Sequence, residues 1–227
     1  ALRAQLKLGL PMGGSILIGA SGLSMMALFI ARLGTVPVAG HQIASNLSAL
    51  LFMMPLALAN ATSTLVAQRI GARDVRHAQR LGWHGLQLAL AVALAMGGAV
   101  FLAREGLARL YTRDAAVVAA ALPLLAWVAL FHVADAAQAV LSFVLRAWHV
   151  ATLPMFIFAA SQWGVGLGGG TLLAFAVLPG VPAALHGAIG YWVAVTTGLL
   201  LSATSLRLLL VVVLRRQRAT AALSAAA

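Results

Sequence analysis

The fold of this chain is decided by one uncharged run, Ala147 to Leu206, which reads AWHVATLPMFIFAASQWGVGLGGGTLLAFAVLPGVPAALHGAIGYWVAVTTGLLLSATSL. None of its 60 residues is Asp, Glu, Lys or Arg. A helix that crosses a bilayer needs about 20 mostly apolar residues, so the run is too long for one such helix. Pro179-Gly180-Val181-Pro182 marks a turn within the run. The run therefore predicts two membrane-spanning helices, over about 153–178 and 186–206.

Four similar runs precede this one. They cover about 8–31, 39–68, 81–103 and 115–145, and only the last contains a charged residue, Asp135. Of all 227 residues 63% are hydrophobic and 8% are charged, whereas a soluble domain has roughly a quarter of its residues charged. This composition, with a mean hydropathy of +1.01, excludes a soluble enzyme and a disordered chain. The sequence predicts an all-α integral membrane protein with six transmembrane helices.

The basic residues are concentrated on one side of the predicted spans. Only four of the 15 Lys and Arg residues, namely Arg32, Arg104, Arg109 and Arg113, lie in loops on the other side. Positively charged loops stay in the cytoplasm, so both ends of the chain are predicted to be cytoplasmic. The net charge of +11 is then a topology signal, and no nucleic-acid partner is predicted. The 11 residues on the predicted cytoplasmic side are Arg3, Lys7, Arg69, Arg73, Arg76, Arg80, Arg146, Arg207, Arg215, Arg216 and Arg218.

The two ends of the chain also carry information. The first residue is Ala1 and not a start methionine, so we expect the chain to begin inside a longer protein. We expect residues 1–214 to form one transmembrane lobe and residues 215–227 to form a cytoplasmic tail.

The chain has no cysteine, which excludes a disulfide framework and any cysteine metal site.

Asp135 is the one acidic residue within a predicted span. An unpaired carboxylate near the bilayer centre costs about 2.5–3.5 kcal/mol on insertion scales, so it should face the protein interior or a wet cavity. His132, Gln138 and Ser142 share its helix face. A bound cation favours the ionised acid and an apolar environment favours the neutral acid, so Asp135 is suited to exchange a proton for a cation. The alternative is a carboxylate held by His132 or Gln138 for packing alone.

Other polar and small residues inside the spans are further candidates. Gln42 and Asn46 on the second span are candidates for a transport pathway, or they join helices through hydrogen bonds. The glycines of the run 164–170 are spaced for close helix packing, and they also weaken the helix for a conformational change. The sequence contains no HExxH, GxSxG or phosphate-binding loop, so neither an enzyme nor a metal site is predicted.

Seven short motifs follow one another along residues 6–214, namely LKLGLP (6–11), RLG (32–34), AGHQIA (39–44), FMMP (52–55), VAQRIGARD (66–74), LYT (110–112) and LR (145–146). With Asp135 between the last two, this ordered set resembles the C-terminal half of a multidrug and toxic-compound extrusion (MATE) transporter. The resemblance implies a twelve-helix transporter of two six-helix lobes around a central cavity, of which this chain is one lobe. It also implies a partner for this chain, the missing N-terminal lobe.

The resemblance implies an activity as well. A MATE transporter exports cationic or amphipathic drugs by alternating access, in exchange for protons or sodium ions, and needs no other cofactor. The implied location is the bacterial plasma membrane, where membrane lipid is a further partner. Asp135 falls on the carboxylate that some members use for cation coupling, and Phe131, His132 and Gln138 beside it join the candidate pathway residues. This chain departs from those members at Gly19, where they carry a glutamate, and at Phe131, where they carry a tyrosine.

Three other functions remain as alternatives, one of which is a non-transporting membrane assembly or interaction protein. A lipid-linked oligosaccharide flippase of the same superfamily is expected to have a more cationic cavity, whereas the predicted spans hold no interior Lys or Arg. A membrane-embedded lipid-modifying enzyme needs clustered acids or a nucleophile with a base, and the spans contain neither.

The charge distribution leads to a labelling prediction. Because the chain contains no cysteine, a cysteine introduced at Arg76, Arg109 or Arg216 is its only thiol. We expect Arg76→Cys and Arg216→Cys to be shielded from a membrane-impermeant thiol reagent in intact cells, and Arg109→Cys to react. The reverse labelling pattern would overturn the predicted orientation.

Overall fold

A computed structural model of the chain describes residues 2–177 and 179–226, with side chains at 6, 9–177 and 179–217. Four long helices come first, and a fifth helical segment combines two α-helical ends with a π-helical centre. A short 3₁₀ turn, Ala183–Leu185, leads into the last helix. The helices are α1 (Leu2–Ala31), α2 (Thr35–Gly71), α3 (Val75–Tyr111), α4 (Ala115–Ala147), α5 (Thr152–Ala159), the π-helix (Ala160–Gly169), α6 (Gly170–Ala174) and α7 (Ala188–Ala226).

The architecture agrees with the predicted all-α membrane fold. Within the part of the chain that the structure describes, five helices are long and apolar enough to cross a membrane: α1, α2, α3, α4 and α7. The predicted span 153–178 corresponds to the continuous helical segment from Thr152 to Ala174, although its predicted last residue, Leu178, lies outside the described residues. The turn predicted at 179–182 is present, with Gly180 at φ +83°.

The helices extend beyond most of the predicted ends. α3 begins at Val75 and not near residue 81, and α7 continues from 206 through the predicted tail to Ala226. Charge marks the edge of the apolar core and not the end of a helix, because Arg, Leu and Ala all favour helical backbone. The sequence therefore located the apolar segments more accurately than the helix termini.

Three of the four acids have structural roles near the helix ends. Asp74 precedes α3 and accepts a 3.1 Å hydrogen bond from the backbone N–H of His77. Asp114 precedes α4 and accepts one of 2.8 Å from the N–H of Ala116. Such side chains satisfy N–H groups that have no partner in the first helical turn. Glu105 accepts a 2.8 Å hydrogen bond from Nη2 of Arg109, four residues later on the exposed surface.

α4 is the central helix and packs against α2, α3 and α7. Lipid tails are as apolar as leucine, so close packing through small residues holds membrane helices together. A Cβ added to Gly40 of α2 would lie 3.1 Å from the Ala120 carbonyl carbon, and one added to Gly97 of α3 would lie 2.8 Å from the Ala129 carbonyl oxygen. Both glycines therefore allow their helices to approach the backbone of α4.

The glycine run of the fifth segment contains two pairs spaced four residues apart, Gly164/Gly168 and Gly166/Gly170. The run packs against α7, as predicted, through the second pair. A Cβ on Gly166 would lie 3.4 Å from Cα of Val195, and one on Gly170 would lie 3.1 Å from Cα of Tyr191. The other pair does not face a neighbouring helix, since a Cβ on Gly164 would meet no atom within 4 Å and one on Gly168 only the Trp163 carbonyl. Residues 164–169 of the run adopt π-helical backbone, a form that is rare and frequently found at functional sites.

The contact at Gly97 leads to a stability prediction with a matched control. Gly97→Ala places a methyl group against the Ala129 carbonyl oxygen, so we expect a loss of about 1–3 kcal/mol, typical of overpacking. Gly98→Ala adds the same methyl group one residue later, where nothing lies within 4 Å, and should be neutral or stabilising by up to about 1 kcal/mol. Thermal unfolding in detergent measures both changes. Equal stability of the two variants would contradict the close approach of α3 and α4.

Candidate transport cavity

A cavity of about 610 Å³ lies between α1, α2, α4, the fifth helical segment and α7. Most of its wall is apolar, with four phenylalanines, Phe52, Phe131, Phe143 and Phe158. Its volume is within the range of about 300–1,000 Å³ that is usual for small-molecule sites. The polar residues of the lining are Ser15, Ser48, Asn60, Asp135, Gln138, Ser142, Arg146 and Gln162.

Asp135 is the only acidic residue among the described residues that line this cavity. Its carboxylate makes no hydrogen bond or ion pair with any side chain or backbone group between residues 9 and 217 that the structure describes. Gln138, one turn later on α4, donates instead to Oγ of Ser142 at 3.1 Å. Neither Gln138 nor His132 holds the carboxylate, which is left facing the cavity.

The structure separates the other predicted pathway residues. Phe131 and Gln138 line the cavity with Asp135. Phe131 also meets Trp192 of α7 edge-on, with 5.4 Å between ring centroids. His132 is buried outside the lining, and its Nε2 has no partner among the described residues.

Gln42 and Asn46 do not line the cavity and are exposed. The α2 residues that do line it begin at Ser48 and end at Asn60. Helical spacing places Asn46 on the same face as Ala49 and Met53, so it lies just before the lined section of α2. A pathway role for Gln42 and Asn46 therefore stays a prediction.

Arg146 corrects the expectation that no cationic residue lies inside the lobe. It was predicted to be a loop residue, but it lies in the last turn of α4 and lines the cavity. Its guanidinium carbon is 4.4 Å from the centroid of the Phe143 ring, a cation–π contact that tolerates partial burial of the charge. Eleven residues separate Arg146 from Asp135, which is roughly 16 Å along the helix. The two charges are therefore near different parts of the cavity and do not pair.

Gln162 is a cavity residue that was not predicted from the sequence. It belongs to the π-helix and is buried, and its Oε1 has no hydrogen-bond partner among the described residues. A Cβ on Gly22 of α1 would lie 3.0 Å from its Cγ, so Gln162 packs directly on α1. The neighbouring Trp163 donates from Nε1 to the Ile18 carbonyl oxygen at 3.4 Å. The only sequence signal was an amide within an uncharged span.

Gly19, the first departure from the family pattern, lines the same cavity. A Cβ at this position would lie 3.6 Å from Cζ of Phe158, an ordinary van der Waals contact. Phe158 therefore occupies the space next to Gly19. With glycine at this position, Asp135 has no acidic neighbour among the lining residues that the structure describes.

Comparison with known proteins places this architecture in a family. The family model MatE matches residues 11–171. The chain belongs to the MATE family. It is 39% identical over 215 residues to the probable multidrug resistance protein NorM of Aromatoleum aromaticum, covering 95% of this chain and 46% of that protein. It is 34% identical over 198 residues to the multidrug resistance protein MdtK of Pectobacterium atrosepticum, covering 87% of this chain and 43% of that protein.

Solved structures show the same fold. The crystal structure of the eukaryotic MATE transporter AtDTX14 superimposes with a TM-score of 0.83 at 21% identity, covering 95% of this chain and 48% of that one. An outward-facing multidrug resistance MATE transporter superimposes with a TM-score of 0.79 at 18% identity, covering 89% of this chain and 43% of that one. This MATE chain is an integral membrane protein, and it spans about half the length of the relatives and structures that it matches.

Proposed function

We propose that this chain is the C-terminal lobe of a secondary multidrug efflux transporter and that Asp135 couples export to the entry of protons or sodium ions. The observation that carries the proposal is the unpartnered carboxylate of Asp135 in a largely apolar cavity. Relatives at 34–39% identity are named multidrug resistance proteins, which supports the substrate class. No enzymatic step is proposed, and the described residues include no cluster of three potential metal ligands.

The coupling follows from the environment of Asp135. A carboxylate among apolar side chains needs either a proton or a cation to compensate its charge. No lining residue pairs with Asp135 in the described structure, so the compensating proton or cation has to come from the transported species. A proton or sodium ion and a cationic drug then compete for one charge, so that binding one releases the other. This competition is the requirement for exchange across a membrane.

The walls of the cavity fit an amphipathic cation. The four phenylalanines offer ring faces that attract a positive charge and also contact apolar groups. Met12 and Met53 add flexible, polarizable surface that adapts to ligands of different shape. Gln138, Ser142, Asn60 and Gln162 supply a small number of hydrogen-bonding groups. Such a site selects for charge and size more than for one molecular shape.

A second lobe completes this proposal. We infer that the N-terminal half of the transporter faces the cavity and covers the exposed Gln42 and Asn46 on α2. We place the assembled transporter in the bacterial plasma membrane, with both ends of this chain in the cytoplasm.

Asp135→Asn tests the coupling role, because it preserves size and removes the ionisable group. In the complete coding sequence that contains this chain, we expect the variant to reach the membrane at normal levels. Efflux of a cationic dye, driven by a proton or sodium gradient, should fall by at least 10-fold. The measurement is dye efflux from cells or vesicles across a range of external pH and sodium concentrations.

Glu105→Gln is the matched control for this experiment. It makes the same acid-to-amide change at an exposed residue whose partner is Arg109, and exposed pairs of this kind contribute about 0–1 kcal/mol. We expect its efflux to match that of the wild type. Unchanged ion dependence in Asp135→Asn would show that coupling lies elsewhere. If Arg146→Gln abolished transport while Asp135→Asn did not, an anionic cargo and the flippase alternative would be favoured.

The requirement for a second lobe has its own test. We expect residues 1–227 expressed alone to confer no drug resistance, because the cavity then faces lipid. Co-expression with a separately encoded N-terminal half should restore resistance, measured as the minimum inhibitory concentration of a cationic drug. Full resistance from residues 1–227 alone would indicate that two copies of this chain assemble, and it would contradict the proposed partner.

A further inference from the structure

A second concave site lies away from the transport cavity, where α2 ends and α3 begins. It has a volume of about 720 Å³, and its lining includes three arginines, Arg73, Arg76 and Arg80, together with Trp83. Arg76, Arg80 and Trp83 follow one face of α3. The chain turns at Arg73, whose φ of +58° is in the left-handed region. Arg73 lines the same pocket as the three residues of α3.

The three arginines have no acidic partner among the described residues. The one carboxylate in the pocket, Asp74, is bonded to His77, with 3.1 Å from its Oδ1 to the backbone nitrogen and 2.7 Å from its Oδ2 to the ring Nδ1. The backbone hydrogen bond from His77 lowers the pKa of Asp74, so this acid stays ionised and keeps its role in capping α3. Its single negative charge leaves a net positive pocket that suits an anionic ligand.

The position of the pocket along α3 identifies the source of that anion. α3 has 37 residues and is roughly 55 Å long, whereas the hydrocarbon core of a bilayer is about 30 Å thick. The uncharged run of this helix covers 81–103, and its last 20 residues, 84–103, already span about 30 Å. Trp83 therefore lies at the hydrocarbon boundary, where tryptophan is enriched in membrane proteins.

This placement puts Arg80 at the depth of lipid phosphates. It lies about 6 Å beyond residue 84 along the helix, and the headgroup layer extends roughly 5–7 Å from the hydrocarbon core. Arg76 lies one turn further out, and its long side chain can extend back toward the same layer. Trp83 is half-buried, packs against the core of the lobe and also lines the pocket.

We propose that Arg73, Arg76, Arg80 and Trp83 form a binding site for the phosphate headgroup of an anionic membrane lipid. The arginines bind the phosphate through charge-assisted hydrogen bonds, and Trp83 contacts the glycerol and the first acyl carbons. The lipid bound here is a structural partner of the α2–α3 loop, and it is separate from any transported substrate.

The test measures lipid binding to the complete protein that contains this chain, purified in a neutral detergent. Phosphatidylglycerol and phosphatidylcholine with identical acyl chains are titrated separately, and native mass spectrometry counts the lipids that remain bound. We expect phosphatidylglycerol to bind at least 10-fold more tightly than phosphatidylcholine. Equal affinity of the wild-type protein for the two lipids would overturn the proposal without any variant.

A charge-matched pair of variants locates the site. Arg76→Gln/Arg80→Gln should weaken phosphatidylglycerol binding about 30-fold, which corresponds to about 2 kcal/mol at 1.4 kcal/mol per tenfold change. Arg207→Gln/Arg215→Gln removes the same charge from exposed arginines outside the pocket and should change this affinity less than threefold. Equal losses in the two variants would show that overall charge retains the lipid, and the proposal would fail.

A third experiment distinguishes a bound lipid from free phosphate. Inorganic phosphate at about 10 mM, which is roughly ten times a millimolar dissociation constant, should neither displace phosphatidylglycerol nor raise the thermal unfolding midpoint. Displacement by inorganic phosphate would assign the pocket to a soluble phosphate and would contradict the lipid proposal.

Discussion

A polar group at membrane depth has no water to bond with, and this constraint shapes the whole chain. It explains why the described backbone within the apolar segments is helical, with each N–H bonded inside its own segment. It also explains the hydroxyl groups. Ser48 donates to the Ala44 carbonyl at 2.9 Å, and Thr196 donates to the Trp192 carbonyl at 2.7 Å, each within its own helix. Polar side chains that meet this requirement need no functional explanation.

The same constraint draws attention to a polar group within a span that has no hydrogen-bond partner. Asp74, Asp114 and Glu105 lie near helix ends and have hydrogen-bond partners, whereas Asp135 lies within α4 and has none among the described residues. A membrane protein retains such a group only at a cost in stability, and this cost is the basis of the coupling role proposed for Asp135. α2 and α3 approach the backbone of α4 at Gly40 and Gly97, and α7 meets α4 through the ring contact of Trp192 with Phe131. None of these contacts involves the carboxylate of Asp135.

Much of this could be predicted from the sequence, because both apolar length and charge are local properties. The spans and the turn after the fifth segment follow from counting residues between charges, and the cavity position of Asp135 follows from the cost of an unpaired carboxylate in lipid. The extent of the cavity could not be predicted, since it depends on how five helices meet. Gln42 and Asn46 lie before the lined section of α2, and their pathway role stays a prediction. Gln162 was overlooked for the same reason, whereas Arg146 was assigned to a loop because its charge was taken as the end of the helix.

The π-helix has a mechanical consequence for the fifth segment. Its hydrogen bonds run from each residue to the fifth one along, so a turn contains more residues than in the flanking α5 and α6. The rotation of α5 relative to α6 about the helix axis therefore depends on how many residues between them are π-helical. α5 packs mainly on α1, while α6 packs on α7. A change of winding over Ala160–Gly169 would therefore change the rotation of Phe158 and the α1 contact about the helix axis relative to α6, which packs on α7.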